Sequence, residues 1–276
     1  MLLKYLKASF ARKKARRFFK EYPYEVNKFS LSKEGVIEFA NWKNPLVSHI
    51  EITQSQVNFF AQFVTRGSLA IDIGGNVGDT TVPMALAAGK EGLVLAFDPN
   101  PHVYKILEIN AGLNKQNTNI VPLPYAITEQ DGEFFYSSSE ASFSNGGITE
   151  EQSSKHGAYQ LKQKIKGVNL EKLLDAQYSN WIGKLTFIKI DTEGYDKEII
   201  KSISSLLQRC KPVVVAECFG ELNAAERAEL YDLLVAKGYE LFYFGDFEEG
   251  TKVEPIVSAE DMNRWRHFNF YARVAR

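Results

Sequence analysis

Residues 69–78 read LAIDIGGNVG, a short apolar strand interrupted by Asp72 and followed by glycines at 74, 75 and 78. Three glycines directly after a buried strand let the backbone turn tightly and let a ligand approach main-chain N–H groups. The acid at the strand end restricts what that ligand is, because a carboxylate there repels a phosphate. Dinucleotide cofactors use the spacing G-x-G-x-x-G with no anion beside the turn. The first glycine of that pattern would fall at Ile73. A ligand carrying a cationic centre and a ribose, such as S-adenosylmethionine, suits this loop better than NAD. A Gly-rich turn also occurs as a plain strand-to-helix connection, so its meaning depends on the segments around it.

From residue 69 onward, apolar runs alternate with longer amphipathic stretches, as in βαβ units with a parallel sheet. Strands are expected at 69–73, 93–97, 119–121, 185–190, 213–216, 239–244 and 268–274. Helices are expected at 80–88, 103–114, 195–207 and 224–237, the first capped by Asp79 and stopped at Gly89. Residues 245–267 look like loop, too irregular for an easy parallel crossover, so the last two strands should pair antiparallel at the sheet edge. Residues 137–147, SSSEASFSNGG, form a small polar loop of the kind that is functional or disordered in a compact domain. Residues 1–66 contain a basic helix, a short strand pair near 36–42 and a helix over 55–64. They are read as an N-terminal extension to a domain spanning 67–276.

Four blocks occur in order: AIDIGGNVGDTT (70–81), LAFDPNPHVYKILEINAGLN (95–114), FIKIDTEGYDKEII (187–200) and VVVAECF (213–219). Together they resemble the FkbM-type family of S-adenosylmethionine-dependent methyltransferases over residues 68–219, with a looser match to the chain end. The chain departs from the family pattern at Gly75, where alanine is usual, and at Asp98, where glutamate is usual. The resemblance implies an α/β fold, a seven-strand class I methyltransferase (Rossmann-like) sheet with an antiparallel edge strand and an N-terminal helical extension. It also implies methyl transfer from S-adenosylmethionine to a hydroxyl of a sugar, glycan, glycolipid or related natural product.

On that reading Asp72, Gly74, Gly75, Asn76 and Gly78 form the cofactor floor, with Asp72 holding the cofactor's amino group directly or through water. Asp98 ends the second strand, where a carboxylate accepts both ribose hydroxyls. Pro99 and His102 lie in the next turn, near the expected adenine. Asp191 and Glu193 follow the strand 185–190, at the edge where open α/β sheets bind ligands. O-methylation needs a base beside the acceptor hydroxyl. Asp191 is the first choice for that base and Glu193 the second; the structural alternative for either is the N-cap of the helix near residue 195. Glu217 follows the strand VVVAE to the same edge, as a catalytic acid, an acceptor ligand or a partner of Lys189. Ser142 and Asn145 can hydrogen-bond a polyhydroxyl acceptor, whose pocket is expected from loops at 137–165, 219–224 and 245–267.

Bulk properties bound the remaining possibilities. The 276 residues are 45% hydrophobic and 24% charged, which is ordinary for a folded domain. No apolar run approaches the ~18–20 residues needed to cross a bilayer. Two cysteines and no secretory pattern fit a reducing, cytoplasmic setting. The net charge of −1 conceals a division, because residues 1–20 hold eight lysines and arginines and no acid. Leu3, Leu6, Phe10, Phe18 and Phe19 interleave with them, describing either a helix that covers the enzyme or one that lies on an anionic membrane surface. A nucleic-acid partner is not expected, and nothing bears on oligomeric state. His49, His102, His156 and His267 are widely spaced and no metal motif exists, so no metal site is assigned. A divalent cation held by Asp191, Glu217 and water is the unsupported option. The rival readings are a Rossmann-type oxidoreductase using NAD or a nucleotide sugar, which Asp98 permits, and a non-catalytic cofactor-binding module of the same fold.

Overall fold

The computed structural model describes residues 2–149 and 157–275, with side chains from residue 5 onward. His156 and the 150–156 part of the expected acceptor loop lie outside the described residues. A basic helix, α1 (Leu2–Arg17), is followed by a hairpin, β1 (Tyr24–Leu31) and β2 (Gly35–Trp42), and by α2 (Gln54–Ala61). The glycine-loop strand β3 (Leu69–Ile73) leads to α3 (Thr81–Ala88), β4 (Leu93–Phe97), α4 (Pro101–Leu113) and β5 (Ile120–Leu123). Five short strands come next: β6 (Tyr125–Ile127), β7 (Gly132–Ser138), β8 (Gly147–Thr149), β9 (Tyr159–Gln160) and β10 (Ile165–Val168). After α5 (Leu170–Gln177) and α6 (Ser179–Ile182) the chain returns as β11 (Leu185–Ile190). There follow α7 (Asp196–Ser202), α8 (Ser204–Cys210), β12 (Val213–Cys218) and α9 (Ala224–Val235). The last elements are β13 (Tyr239–Phe244), β14 (Val253–Ile256), a 3-10 turn (Glu260–Asn263) and β15 (Phe268–Val274).

The main sheet has eight strands in the order β14-β13-β15-β12-β11-β3-β4-β5. Strands β12, β11, β3, β4 and β5 run parallel, as the alternation of apolar runs and helices requires. Two expectations about the sheet are corrected. The last two strands, β13 and β15, pair antiparallel as expected, but β15 also pairs antiparallel with β12, so the reversed strand lies inside the sheet and not at its edge. The edge is an eighth strand, β14, in the segment read as loop. Its sequence VEPI carries a proline and a charge, which an edge strand tolerates and a central one does not. The helix expected over 195–207 is also broken, at Ile203, into α7 and α8. Asp79 does not cap α3, whose N-cap is Thr80.

Strand alternation sorts the core into two layers. Leu69, Ile71 and Ile73 face α5, α7, α8 and α9 through residues such as Leu173, Ile199, Leu206 and Leu230. Ala70, Phe187 and Val215 face the other way, against Phe60, Val82, Ile106 and Phe39 of α2, α3, α4 and the hairpin. Asp72 and Lys189 sit two residues beyond Ala70 and Phe187, so they share this second face, and they are register partners across β3 and β11. A second, five-stranded sheet, β6-β10-β7-β8 with β9 on β7, has no counterpart in the expected layout.

Residues 24–61 are built into the second layer. Thr53 and Gln56 form a capping box that starts α2. The helix then sets Phe60 edge-on to Phe187 at 5.8 Å and Phe59 against Phe244 at 5.2 Å. The hairpin is clamped to α4 by two buried amides, Asn114 at the helix C-cap, which bonds the Glu38 N–H and carbonyl, and Asn110. Asn110 Oδ1 accepts from the Ala40 N–H (2.6 Å), while Nδ2 donates to the carbonyls of Val77 (2.7 Å) and Ala40 (3.2 Å). Asn110→Ala strands those main-chain groups in the core and should destabilise the protein by about 2–3 kcal/mol. Urea unfolding should show a lower midpoint at an unchanged slope.

Candidate active site

A cavity of about 430 Å³ opens at the carboxyl edge of β3, β4 and β11. Its floor includes Gly74, Asn76, Asp98, Pro99, Asp191 and Glu193. Leu46, Val47, Ser48 and Ile50, from the segment between the hairpin and α2, form one wall. A second wall is Tyr136, Glu140, Ser144, Asn145 and Gly146, from the second sheet and its loop.

The glycine loop is shaped by close approach of main chains. Gly74 adopts φ +78°, and a Cβ placed on it would lie 1.8 Å from the Asp191 carbonyl oxygen. No side chain fits there, so the loops after β3 and β11 touch through backbone alone. Asn76 follows with φ 46° and donates its N–H to Asp98 Oδ2 at 3.0 Å. Gly75 and Gly78 face Leu107 and Thr81 or Asn110, away from the cavity lining.

Asp72 lies behind the floor and is completely buried. Its Oδ2 accepts from the hydroxyls of Thr81 (2.6 Å) and Thr80 (3.2 Å), and its Oδ1 stands 3.4 Å from Lys189 Nζ. Lys189 is 2% exposed and also lies 3.2 Å from Asp191 Oδ2. Burial opposes the charge of this ammonium, but the carboxylates of Asp191, Asp72 and Asp79 outweigh it and hold its pKa above the ordinary lysine value. The pairing of Lys189 with Glu217 offered by the sequence is not formed; Lys189 pairs with Asp72 and Asp191.

Asp98 lines the cavity at the end of β4. Its Oδ1 accepts from the Asn100 N–H at 2.9 Å, complementing the Asn76 bond to Oδ2. Burial nevertheless pushes its carboxyl up to about 7, the two N–H donors offsetting part of the cost. Asn100 is a residue the sequence reading passed over. It caps α4 through the His102 N–H and donates Nδ2 to the Phe143 carbonyl (2.8 Å) and the Tyr136 hydroxyl (3.3 Å), so it ties the second sheet to the cavity floor. Its signal was present as Asn100-Pro101, an N-cap followed by proline at the first helical position. His102 itself lies off the cavity, its ring between Phe19 at 5.0 Å and Phe143 at 5.5 Å.

Asp191 and Glu193 both line the cavity. Burial, then the neighbouring Asp191 charge, raise the Glu193 carboxyl above its usual range. Neither acid caps α7, whose N-cap is Tyr195. The loop is instead held by Asp196, which accepts from the Thr192 hydroxyl (2.8 Å), the Thr192 N–H (3.2 Å) and the Glu217 N–H (3.2 Å). Burial and then Asp191 push Asp196 up to about 7. Glu217 is not part of the lining. It meets His267 Nε2 at 2.7 Å, and burial followed by Asp191, Asp196 and Glu193 pushes it up to about 8. Neither Asp196 nor His267 was singled out from the sequence, where His267 has no motif around it. Of the two acceptor residues expected in the polar loop, Asn145 lines the cavity and Ser142 is buried beside it. Among the described residues no group of three or more His, Cys, Asp or Glu side chains could hold a metal ion.

Removing the ammonium should be costly, because it leaves Asp72 a buried carboxylate without its counter-charge. Lys189→Met should destabilise the fold by about 3–5 kcal/mol. Double substitution with Asp72→Asn should recover a large part of that loss, and chemical denaturation of the four proteins measures the coupling.

The methyltransferase FkbM domain matches residues 72–241, more than half of the chain. The hexuronic acid methyltransferase AglP of Haloferax volcanii is 26% identical over 144 residues, which are 52% of this chain and 53% of that protein. The chain thus matches about half the length of this curated relative. Among solved structures, methyltransferase FkbM from Methylobacillus flagellatus shares 12% identity and a TM-score of 0.43, over 79% of this chain and 51% of that one. An O-methyltransferase from Thermotoga maritima, S-adenosylmethionine-dependent, shares 13% identity and a TM-score of 0.42, over 92% and 79%. At those scores the two likenesses add nothing to what the sheet order and the family match carry. With its glycine loop, its second-strand acid and its IKIDTEG strand end all inside the matched segment, the chain belongs to the FkbM methyltransferase family.

Proposed function

We propose that this protein is an S-adenosylmethionine-dependent O-methyltransferase acting on a hydroxyl of a sugar, glycan or related polyhydroxyl compound. The observation that carries the reading is the acidic make-up of the cavity lining. Among the described lining residues there are five carboxyl groups, those of Asp79, Asp98, Glu140, Asp191 and Glu193, and one ammonium, Lys189, which is already paired with Asp72 and Asp191. A ligand with a sulfonium and an amino group suits such a lining. A dinucleotide diphosphate would find no free cation among the described lining residues, which counts against the oxidoreductase reading.

The cofactor supplies a methyl carbon made electrophilic by its sulfonium. The chain's own residues then have three tasks. The Gly74–Asn76 backbone provides close approach, and Asp98 accepts the ribose hydroxyls with the lone pairs left over from its two N–H bonds. Asp191 and Glu193 stand where an acceptor hydroxyl would lose its proton. Asp191 is oriented by Lys189, while burial and the neighbouring Asp191 charge raise the Glu193 carboxyl above its usual range. Asn145, Ser144 and Ser48 offer hydrogen bonds to a polyhydroxyl acceptor from the two walls. The name of the archaeal relative, a hexuronic acid methyltransferase, supports a sugar-type acceptor. In this division of labour residues 67–276 carry the transfer, and residues 1–66 supply one wall.

The test begins with thermal unfolding in the presence of S-adenosylhomocysteine or NAD. At about 100 times Kd a ligand stabilises by about 2.7 kcal/mol, or several degrees at roughly 2–4 °C per kcal/mol. Stabilisation by S-adenosylhomocysteine alone is expected; stabilisation by NAD alone would overturn the reading. The pH dependence is signed. Asp98 must be ionised to accept both hydroxyls and titrates near 7 in the free protein, so affinity should be full above that pH and fall below it. The limit is about tenfold per pH unit, and Asp98→Asn should bind weakly with a flat profile.

Once an accepted sugar is found, Glu193→Gln should lower kcat by roughly 100-fold or more while cofactor affinity changes little. Equal turnover of Glu193→Gln and wild type would remove Glu193 from the proton transfer.

A further inference from the structure

Among its described side chains, helix α1 joins the fold at its C-terminal end. Ala15 is fully buried, whereas Tyr5, Leu6 and Phe10 are 65%, 55% and 71% exposed. Phe18 and Phe19, just beyond the helix, are also more than half exposed. Single exposed hydrophobes are ordinary, but here every exposed phenylalanine among the described residues falls within one short stretch. Residues 1–20, which contain this stretch, hold eight lysines and arginines and no acid.

We propose that α1 is a docking arm for an anionic lipid bilayer. The chemistry selects among possible partners. A second copy of this helix would bring like charges together. A nucleic acid would satisfy the lysines and arginines but leave Leu6 and Phe10 in water. A bilayer surface meets both needs, with acyl chains for Tyr5, Leu6 and Phe10 and headgroup phosphates for Lys7, Lys13 and Lys14.

The arm is rooted on the cavity wall. The Arg16 carbonyl accepts from the Ala141 N–H at 3.0 Å, and the Arg16 guanidinium lies 3.7 Å from Glu140, a lining residue. The Tyr159 hydroxyl donates to the Arg17 carbonyl at 3.4 Å. Glu140 in turn accepts from Ser144, also a lining residue. Attachment through α1 therefore holds a membrane next to the cavity wall, and, if the proposed reaction is right, favours an acceptor carried on a lipid.

The test is co-sedimentation of the full chain with phosphatidylcholine vesicles, with and without phosphatidylglycerol, at low and high salt. Binding only to the phosphatidylglycerol vesicles, weakened by salt, is expected. Replacing Lys7, Lys13 and Lys14 by Gln should weaken partitioning on the order of 100-fold. Leu6→Ser with Phe10→Ser should weaken it at least tenfold, as lost apolar burial implies. No binding by the wild type overturns the proposal. So does loss on charge removal with no effect of the serine pair, or equal affinity for single-stranded DNA, since either marks a general polyanion contact. Each variant is checked for unchanged stabilisation by S-adenosylhomocysteine. Vesicle binding without that stabilisation would leave the arm standing and remove the cofactor reading; the reverse result would do the opposite.

Discussion

A buried ammonium between two carboxylates sets the geometry of everything at the carboxyl edge of the sheet. Lys189 and Asp72 are register partners on adjacent central strands, both all but inaccessible, and neither could be buried alone. Their pairing fixes β11 against β3 at the point where both strands end. Asp191, two residues along, is drawn to the same ammonium. The loop after β11 then comes so near the glycine loop that only a glycine fits at position 74. The arrangement also bears on the acidic make-up of the cavity lining. Among the described lining residues the one cation is already committed to Asp72 and Asp191, and the rest of the charge-bearing side chains are acids.

Three stretches far apart in sequence build that cavity, and each is held by a buried polar side chain and not by apolar packing alone. Asn110 fastens the N-terminal hairpin to α4, Asn100 fastens the second sheet to the end of β4, and Asp196 fastens the loop after β11 to β12. Amides and carboxylates make directional bonds, so they set position where hydrophobic contact sets only proximity. The same logic explains the raised carboxyls at Asp98, Asp196 and Glu217. Each is kept out of water for the sake of its bonds to the backbone or to His267, and burial then favours the protonated form.

Much of this was legible in the chain as text. The alternating apolar runs called for a parallel sheet, and the acids at the ends of β4 and β11 fell on the cavity as their strand-end positions implied. The misses have physical causes. Strand β14 is too short and polar to stand out, because an edge strand buries little. The sheet made by β6 to β10 consists of two- to seven-residue strands whose pairing is stated by no local pattern. Glu217 follows an apolar strand just as Asp191 does, yet its side chain meets His267 and stays off the cavity lining. Strand-end position places a residue at the edge without saying which neighbour it will face.

Local sequence determined what depends on neighbours a few residues apart: the strand and helix periods, the glycines that permit a tight turn, the cap at Asn100, the acids at strand ends, and the family pattern these make together. Tertiary structure alone decided what depends on side chains brought together from distant positions. That includes the Lys189 pairing with both Asp72 and Asp191, the place of β15 inside the sheet, and the walls lent by residues 46–50 and 136–148. The physical reason is range. Backbone preferences act within a turn or a strand, whereas burial, charge pairing and the shape of a cavity are properties of groups that only the folded chain makes neighbours.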